Sequence, residues 1–275
     1  GVKDMKFNVQ GHEESILPNN KDWKLVWSDE FDGTELDKTK WDYRMSMMGK
    51  KHPAWTDKGV YLDGNSNAVF TVIEENGVPV SSQLQTGYNF MDEPIRETNF
   101  GNDHLQWNIG KLHENKFVHR YGYFECRCKF QQKPGWWSAF WIQSPIIGAS
   151  LDPALTGTEI DIMECFKSGN VAPHNAYTGG YGLDMKHQHI GGKEDLATDE
   201  YHRFGLLWDE SGYTFYIDGE EDGHISEHVS HIPEFILIST EVSGYRAANH
   251  LPTQEACAAI GDKFLVDYVR VFETA

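Results

Sequence analysis

The chain of 275 residues predicts an all-β fold, a sandwich of antiparallel sheets. Three observations predict it. Short runs rich in β-branched and aromatic residues recur at spacings of about 8–12 residues, with turn residues between them. Helical periodicity is nearly absent, and one short helix is expected over 252–260. A composition of 39% hydrophobic and 13% aromatic residues is enough for a substantial core. No linker or composition shift interrupts 23–275, so that span reads as one domain, preceded by an extended polar lead-in over 1–22.

The elements follow in order. Trp23 to Gly33 reads as a short strand and a turn, and Trp41 as a core residue. Residues 44–66 are loop-like; Trp55 is a candidate to reach a groove from there, or else a buried anchor of the loop. Asn67 to Glu74 is a strand, and Asn76-Gly77 supplies the turn after it, because both residues tolerate positive φ. Residues 80–116 alternate short strands and loops. Tyr121 to Gln131 is a strand whose Cys126 and Cys128 share a buried face with Phe124 and Phe130 and cannot bond to each other. In Trp136 to Ile142 the period of two puts Trp137, Ala139 and Trp141 on one face. A small Ala between two Trp makes a flat slot that a sugar ring could enter; rings packed in the core are the other reading. Residues 145–158 are a loop, and after Phe166 comes a long irregular stretch whose mixed His, Tyr and Gly, from His174 through Tyr177 and Tyr181 to His187 and His189, suit a loop lining a sugar site; solvated loop histidines are the other reading. The last strands are 201–208, 213–217, 235–241 and 264–272.

One strand is unusual. Glu159-Ile160-Asp161-Ile162-Met163-Glu164 holds three carboxylates in six residues, whereas like charges stacked on one face of a strand repel. Glu159 and Asp161 share a face by period two, and Glu164 points the other way unless one extra residue is bulged at Ile162 or Met163. With that bulge all three line one groove. The two glutamate Cα atoms then lie roughly 13 Å apart. Side chains leaning inward on a concave face bring the carboxyls to about 5–5.5 Å, the separation of a retaining glycosidase. Crowding also raises at least one pKa, as a general acid at neutral pH requires.

Composition excludes other classes. A formal net charge of −18 argues against nucleic acid and anionic membranes as partners. No apolar run is long enough for a membrane span. Gly1-Val2-Lys3-Asp4 does not read as a signal peptide, so an exported protein is expected here in its mature form. Four cysteines are too few for a disulfide scaffold, and a Cys165–Cys257 pair is left open. Without C-x-x-C or H-E-x-x-H, no cofactor is expected for catalysis.

Several stretches, in one order, resemble glycoside hydrolase family 16. They are Trp27-Ser28-Asp29-Glu30-Phe31, Tyr121-Gly122-Tyr123-Phe124-Glu125-Cys126-Arg127, Trp137-Ser138-Ala139-Phe140-Trp141, Trp208 with Tyr216-Ile217-Asp218-Gly219, and Val266-Asp267-Tyr268-Val269-Arg270-Val271. Ser138 stands where the family carries proline, and Cys165-Phe166 also departs from its pattern. The resemblance implies a jelly-roll β-sandwich of two curved antiparallel sheets with a concave substrate groove. It implies endo-acting, retaining cleavage of a β-linked polysaccharide, with Glu159 as nucleophile, Glu164 as general acid/base and Asp161 as the assisting carboxylate. Trp137, Trp141, Trp55, His174 and His187 are the candidate substrate-binding residues. A structural calcium is implied at Glu30, Asp267 and the Gly64 carbonyl. The acidic charge and neutral Trp slots favour a laminarin-like β-1,3-glucan. The alternatives are a β-galactan such as agarose, porphyran or a mucin-type chain, a non-catalytic carbohydrate-binding module, and a transglycosylase. A polymeric substrate places such a protein outside the cytoplasm, secreted, periplasmic or on the cell surface, and a monomer is expected.

Overall fold

The computed structural model describes residues 5–92, 104, 109 and 112–275. It is a jelly-roll sandwich of two curved antiparallel sheets. The first sheet has seven strands. In spatial order they are Lys186–Ile190, His174–Thr178, Glu159–Cys165, Trp136–Gln143, Phe235–Val242, Gln83–Gln85 and Asp42–Tyr43. The second has eight: Glu220–Ile225, Gly212–Ile217, His202–Asp209, Gly122–Lys129, Lys263–Thr274, Ala68–Thr71 and Val60–Leu62 in order, with Trp23–Asp29 also paired to Lys263–Thr274.

Side-chain alternation explains why these sheets face each other. Phe124, Cys126, Cys128 and Phe130 from one sheet meet Trp136, Phe140, Ile142, Ile160 and Ile162 from the other in a continuous core, all of them buried. Each such large side chain contributes about 1.5–3 kcal/mol by leaving water. Trp41 joins them, as expected. Cys165 is buried and Cys257 exposed, and neither is in a disulfide. The short helix is Gln254–Ala258, started by the Thr253 hydroxyl, which accepts a hydrogen bond from the Ala256 N–H at 3.1 Å. Asn76 and Gly77 both take positive φ, 52° and 81°, and close the tight turn between Glu75 and Val78.

Two expectations about chain organisation change. The lead-in is a hairpin, Met5–Phe7 against Ser15–Leu17, docked on the outer face of the eight-stranded sheet. Polar groups buried in that sheet explain the docking. Glu125 accepts the Ile16 N–H at 3.1 Å, and Arg270 donates to the Ser15 hydroxyl at 2.9 Å. Phe7 also packs edge-on against Phe272, with ring centroids 5.0 Å apart. The stretch read as irregular contains the two edge strands His174–Thr178 and Lys186–Ile190. Their mixed His, Asn, Gln and Tyr content hides the alternation, because one face looks into a polar groove instead of a core. Of the short strands expected over 80–116, Gln83–Gln85 is present, and 93–103, 105–108 and 110–111 lie outside the described residues. Among the described residues no helix is long and apolar enough to cross a membrane.

Candidate active site

The acidic strand carries the expected bulge. Trp136–Gln143 pairs with it as Ala139 to Glu164, Phe140 to Met163, Trp141 to Asp161 and Gln143 to Glu159, so the register slips by one at Ile162. Ile160, Ile162, Met163 and Cys165 all enter the core, and Glu159, Asp161 and Glu164 emerge together on the opposite face. His174 supports the slip from beneath. Its Nδ1 donates to the Ile162 carbonyl at 2.7 Å, its Nε2 lies 2.8 Å from Asp222 Oδ2, and its ring stacks on Phe215 at 4.4 Å.

Each acid has its own partners. Asp161 sits between the two glutamates and beside Asn175, and interacts with all three. Glu159 Oε1 accepts the Tyr181 hydroxyl at 2.5 Å, and Tyr181 in turn accepts from Gln143 Nε2 at 2.5 Å. Glu164 Oε1 accepts from Asn175 Nδ2 at 2.8 Å, while Asn175 Oδ1 accepts from His187 Nε2 at 2.8 Å. Burial, and then the charge of Glu159, push the Glu164 carboxyl up to about 7. Burial and both glutamate charges push Asp161 well above the usual carboxylate range, and its contact with Glu159 acts in the same direction. Burial raises Glu159 too, opposed by the hydrogen bonds from Tyr181 and Asp161 and by the Arg44 and Arg246 guanidiniums.

The groove around these acids has a cavity volume of about 410 Å³. Trp137, Ala139 and Trp141 form its floor, as the alternation predicts. Trp141 is pinned by its indole N–H, which donates to the Ser239 hydroxyl at 2.9 Å. Trp137 sits beside exposed Phe166, centroids 5.2 Å apart, and the Arg246 guanidinium lies 5.1 Å from its centroid. Arg246 is tied to buried Glu241 by two hydrogen bonds of 2.6 and 3.0 Å. Ser138 faces inward and donates to Gln131 at 2.8 Å, so the residue in the family's proline position is a buried polar link. A larger hollow of about 560 Å³ lies on the other sheet around Lys21, Trp23, Arg120 and Glu273. It lacks the crowded, pKa-shifted acids, and chemistry selects the smaller groove.

Three of the sequence-predicted binding residues are placed differently. Trp55 is 1% exposed and belongs to the core. It stacks on His52 at 4.2 Å and lies behind Arg44, whose guanidinium is 4.9 Å from Trp55 and 5.5 Å from Trp141. His174 is 1% exposed and holds the bulge from the core side, out of reach of a groove ligand. His187 is exposed on the edge strand, stacked on Tyr177 at 4.4 Å, and meets the acids only through Asn175. Sequence reasoning missed Arg44, Gln143, Asn175, Tyr181 and Arg246 as members of the site. Gln143 carried a signal, since it continues the Trp137–Ala139–Trp141 face by period two, and Asn175 and Tyr181 fall in the His-, Tyr- and Gly-rich stretch read as lining a sugar site, without being singled out there.

The residues expected to hold calcium do not fit a cation. Both Glu30 oxygens accept from Arg270, at 2.9 and 2.5 Å, and Asp267 accepts from Arg127 at 2.7 Å. A hard cation needs oxygen ligands free of competing positive charge. Here guanidiniums already neutralise both carboxylates. Among the described residues there is no group of three acidic, His or Cys side chains placed to hold a metal.

A jelly-roll sandwich with a carboxylate-lined groove across one sheet is the plan of glycoside hydrolase family 16. The chain belongs to that family: residues 23–274 match the family described as Beta-porphyranase A-D, GH16 domain. It is 24% identical over 277 residues to glucan endo-1,3-beta-glucosidase A1 of Niallia circulans, covering 90% of this chain and 38% of the relative. It is 24% identical over 264 residues to keratan-sulfate endo-1,4-beta-galactosidase of Sphingobacterium multivorum, covering 92% of this chain and 56% of the relative. The chain thus spans about two fifths and somewhat over half the length of these two curated relatives. Among solved structures it is similar to the endo-beta-1,3-glucanase of Pyrococcus furiosus, with a TM-score of 0.62 at 20% identity, over 94% of this chain and 97% of that one.

Proposed function

We propose that the chain is an endo-acting, retaining glycoside hydrolase, and that its substrate is a sulfated β-galactan, porphyran first. The observation that carries the catalytic reading is the Ile162 bulge, which turns Glu159, Asp161 and Glu164 onto one groove face. In the first step a Glu159 oxygen bonds to the anomeric carbon as the glycosidic C–O bond breaks, and the Glu164 proton passes to the leaving oxygen. In the second, Glu164 takes a proton from water, whose oxygen attacks the same carbon and releases the Glu159 carboxylate. Two inversions give retention. Asp161, beside Glu159, steadies the carboxylate charge that is spent in the first step and returns in the second.

The expectation of a neutral glucan rested on the overall acidity of the chain and on the neutral Trp slots. The groove itself carries the Arg246 side chain, 51% exposed, beside the Trp137 ring. Glu241 takes the Nε and Nη2 donors of Arg246, and the Nη1 edge of the guanidinium at the aromatic platform suits a sugar bearing a sulfate ester. Family membership supports the same choice, as does a relative named for keratan sulfate. A polymer of this kind is met outside the cytoplasm, which is where we place the protein's action.

The test is a polysaccharide panel of porphyran, agarose, keratan sulfate, laminarin and mixed-linkage glucan, with products resolved by size and the new anomer read by NMR. A ladder of β-anomeric oligosaccharides from porphyran is the expected result. A ladder only from laminarin would return the substrate to the β-1,3-glucans. Binding without products would make the chain a carbohydrate-binding module, and products longer than the substrate would make it a transglycosylase.

A further inference from the structure

The sequence motif accounts for three acids and leaves open which of them is kept ionised. Four features single out Tyr181. The hydroxyl donates to Glu159 Oε1 at 2.5 Å. Its oxygen accepts from Gln143 Nε2 at 2.5 Å, so the one phenolic hydrogen is directed at the carboxylate. The ring is anchored away from the strand, against a small apolar cluster of Phe90, Met91 and Ile147. Gly179 and Gly180, both at positive φ (80° and 77°), turn the chain after His174–Thr178 so that the ring lands there. The donor is therefore held by a turn and an apolar cluster outside the acidic strand itself.

We propose that Tyr181, oriented by Gln143, is the positioning residue that keeps Glu159 ionised and aligned among the three carboxylates. The proposal rests on the reading of Glu159 as nucleophile. A neutral donor favours the anion of the group it bonds. A phenol is also a poor acceptor of the proton in question, and Tyr181 is itself pushed well above its usual range by burial and by Glu159. The other groups acting on Glu159 are Asp161 and Glu164 on its own strand, Tyr177 on the next strand, Arg44 and Arg246 from the groove walls, and buried Glu234 behind it. Arg44 and Arg246 are already committed to Asp92 and Glu241. Tyr181 donates a direct hydrogen bond to the Glu159 carboxylate.

The experiment compares wild type with Tyr181→Phe, which keeps the ring packing, and with Gln143→Leu. Removing a hydrogen bond to a charged group should move the acidic limb of kcat/KM upward by at least about one pH unit in Tyr181→Phe. Activity near pH 5 should then fall at least about tenfold more than activity near pH 7, with KM little changed. Gln143→Leu should move the limb the same way by less. A parallel readout needs no substrate: ¹³C NMR titration of the glutamate carboxyls, with the Glu159 signal assigned by its loss in Glu159→Gln, should show the same upward shift. An unmoved titration in Tyr181→Phe would overturn the proposal and leave Tyr181 a packing residue. A faster or tighter-binding variant would also overturn it, making the ring a plug. Absence of turnover on every polysaccharide would count against the proposed substrate, and the NMR titration would still decide the role of Tyr181.

Discussion

Three acids within six residues share one face at a cost that protonation, hydrogen bonding and the Arg44 and Arg246 charges reduce, and the division of labour proposed for Glu159, Asp161 and Glu164 follows from who bonds whom. Glu164, raised to about 7, still carries its proton in mildly acidic solution and can give it to a leaving oxygen. Asp161, flanked by both glutamates, is the group least able to ionise. Replacing Glu159 or Glu164 by Gln should each lower turnover by at least about a thousandfold, of order 4 kcal/mol in barrier, in steady-state assays on the cleaved polymer. Asp161→Asn should cost less, since an amide still donates to Glu159. Azide should restore activity to Glu159→Ala with an inverted product; restoration only at Glu164→Ala would exchange the two roles. The acids themselves were readable because period two and one bulge put them on one face. Their partners were not, because Tyr181, Asn175 and Arg246 reach them from other parts of the chain, and no spacing in the sequence links Arg44 to position 159.

At the scale of elements, the site depends on a defect in one strand and on what props it. A bulge leaves a carbonyl without its ladder partner, and His174 supplies one at Ile162 from inside the sandwich. His174→Ala leaves that carbonyl unsatisfied and opens space beside Phe215, costing about 1–3 kcal/mol for the carbonyl alone. With the bulge free to shift, Glu164 loses its alignment. Turnover should fall at least about tenfold, more in kcat than in KM, while His174→Gln, which keeps a donor, should recover part of it. A variant with a lowered melting temperature and full kcat would show that the bulge holds without the histidine. The Trp137–Ala139–Trp141 floor and most of the sandwich strands were legible from alternation alone. The edge strands around His174 and Lys186–Ile190 were not, because a strand between a core and a polar groove shows little hydrophobic contrast. Trp55 was misplaced for a related reason: a Trp in a loop looks the same in sequence whether it faces a ligand or, as here, backs an arginine.

For the whole molecule the buried acids set how stability changes with pH. Glu234 is fully buried beneath the start of the acidic strand. It accepts from the Thr158 N–H and from the Thr158 hydroxyl, each at 3.1 Å, and burial pushes it up to about 8. A carboxyl whose folded pKa lies above its unfolded value makes the folded state bind the extra proton. Its contribution is fully present below about 4.5, and it is lost as pH rises through the folded value. Glu164 acts in the same sense up to about 7, and His202, raised by its bond to Asp218, loses its contribution as pH rises through its folded value. His52 acts oppositely. Burial lowers it to about 4, so it adds stability as pH climbs to about 6.5 and nothing beyond. Above that point the glutamates are no longer offset, and the net charge of −18 adds self-repulsion of the same sign. Urea unfolding should therefore show stability falling between pH 6.5 and 8. Glu234→Gln, which cannot ionise, should match the wild type near pH 5 and exceed it at pH 8 by on the order of a few kcal/mol. Equal offsets at both pH values would mean that Glu234 is ionised throughout and that the cost of its burial is met by Thr158 and Ser230 alone.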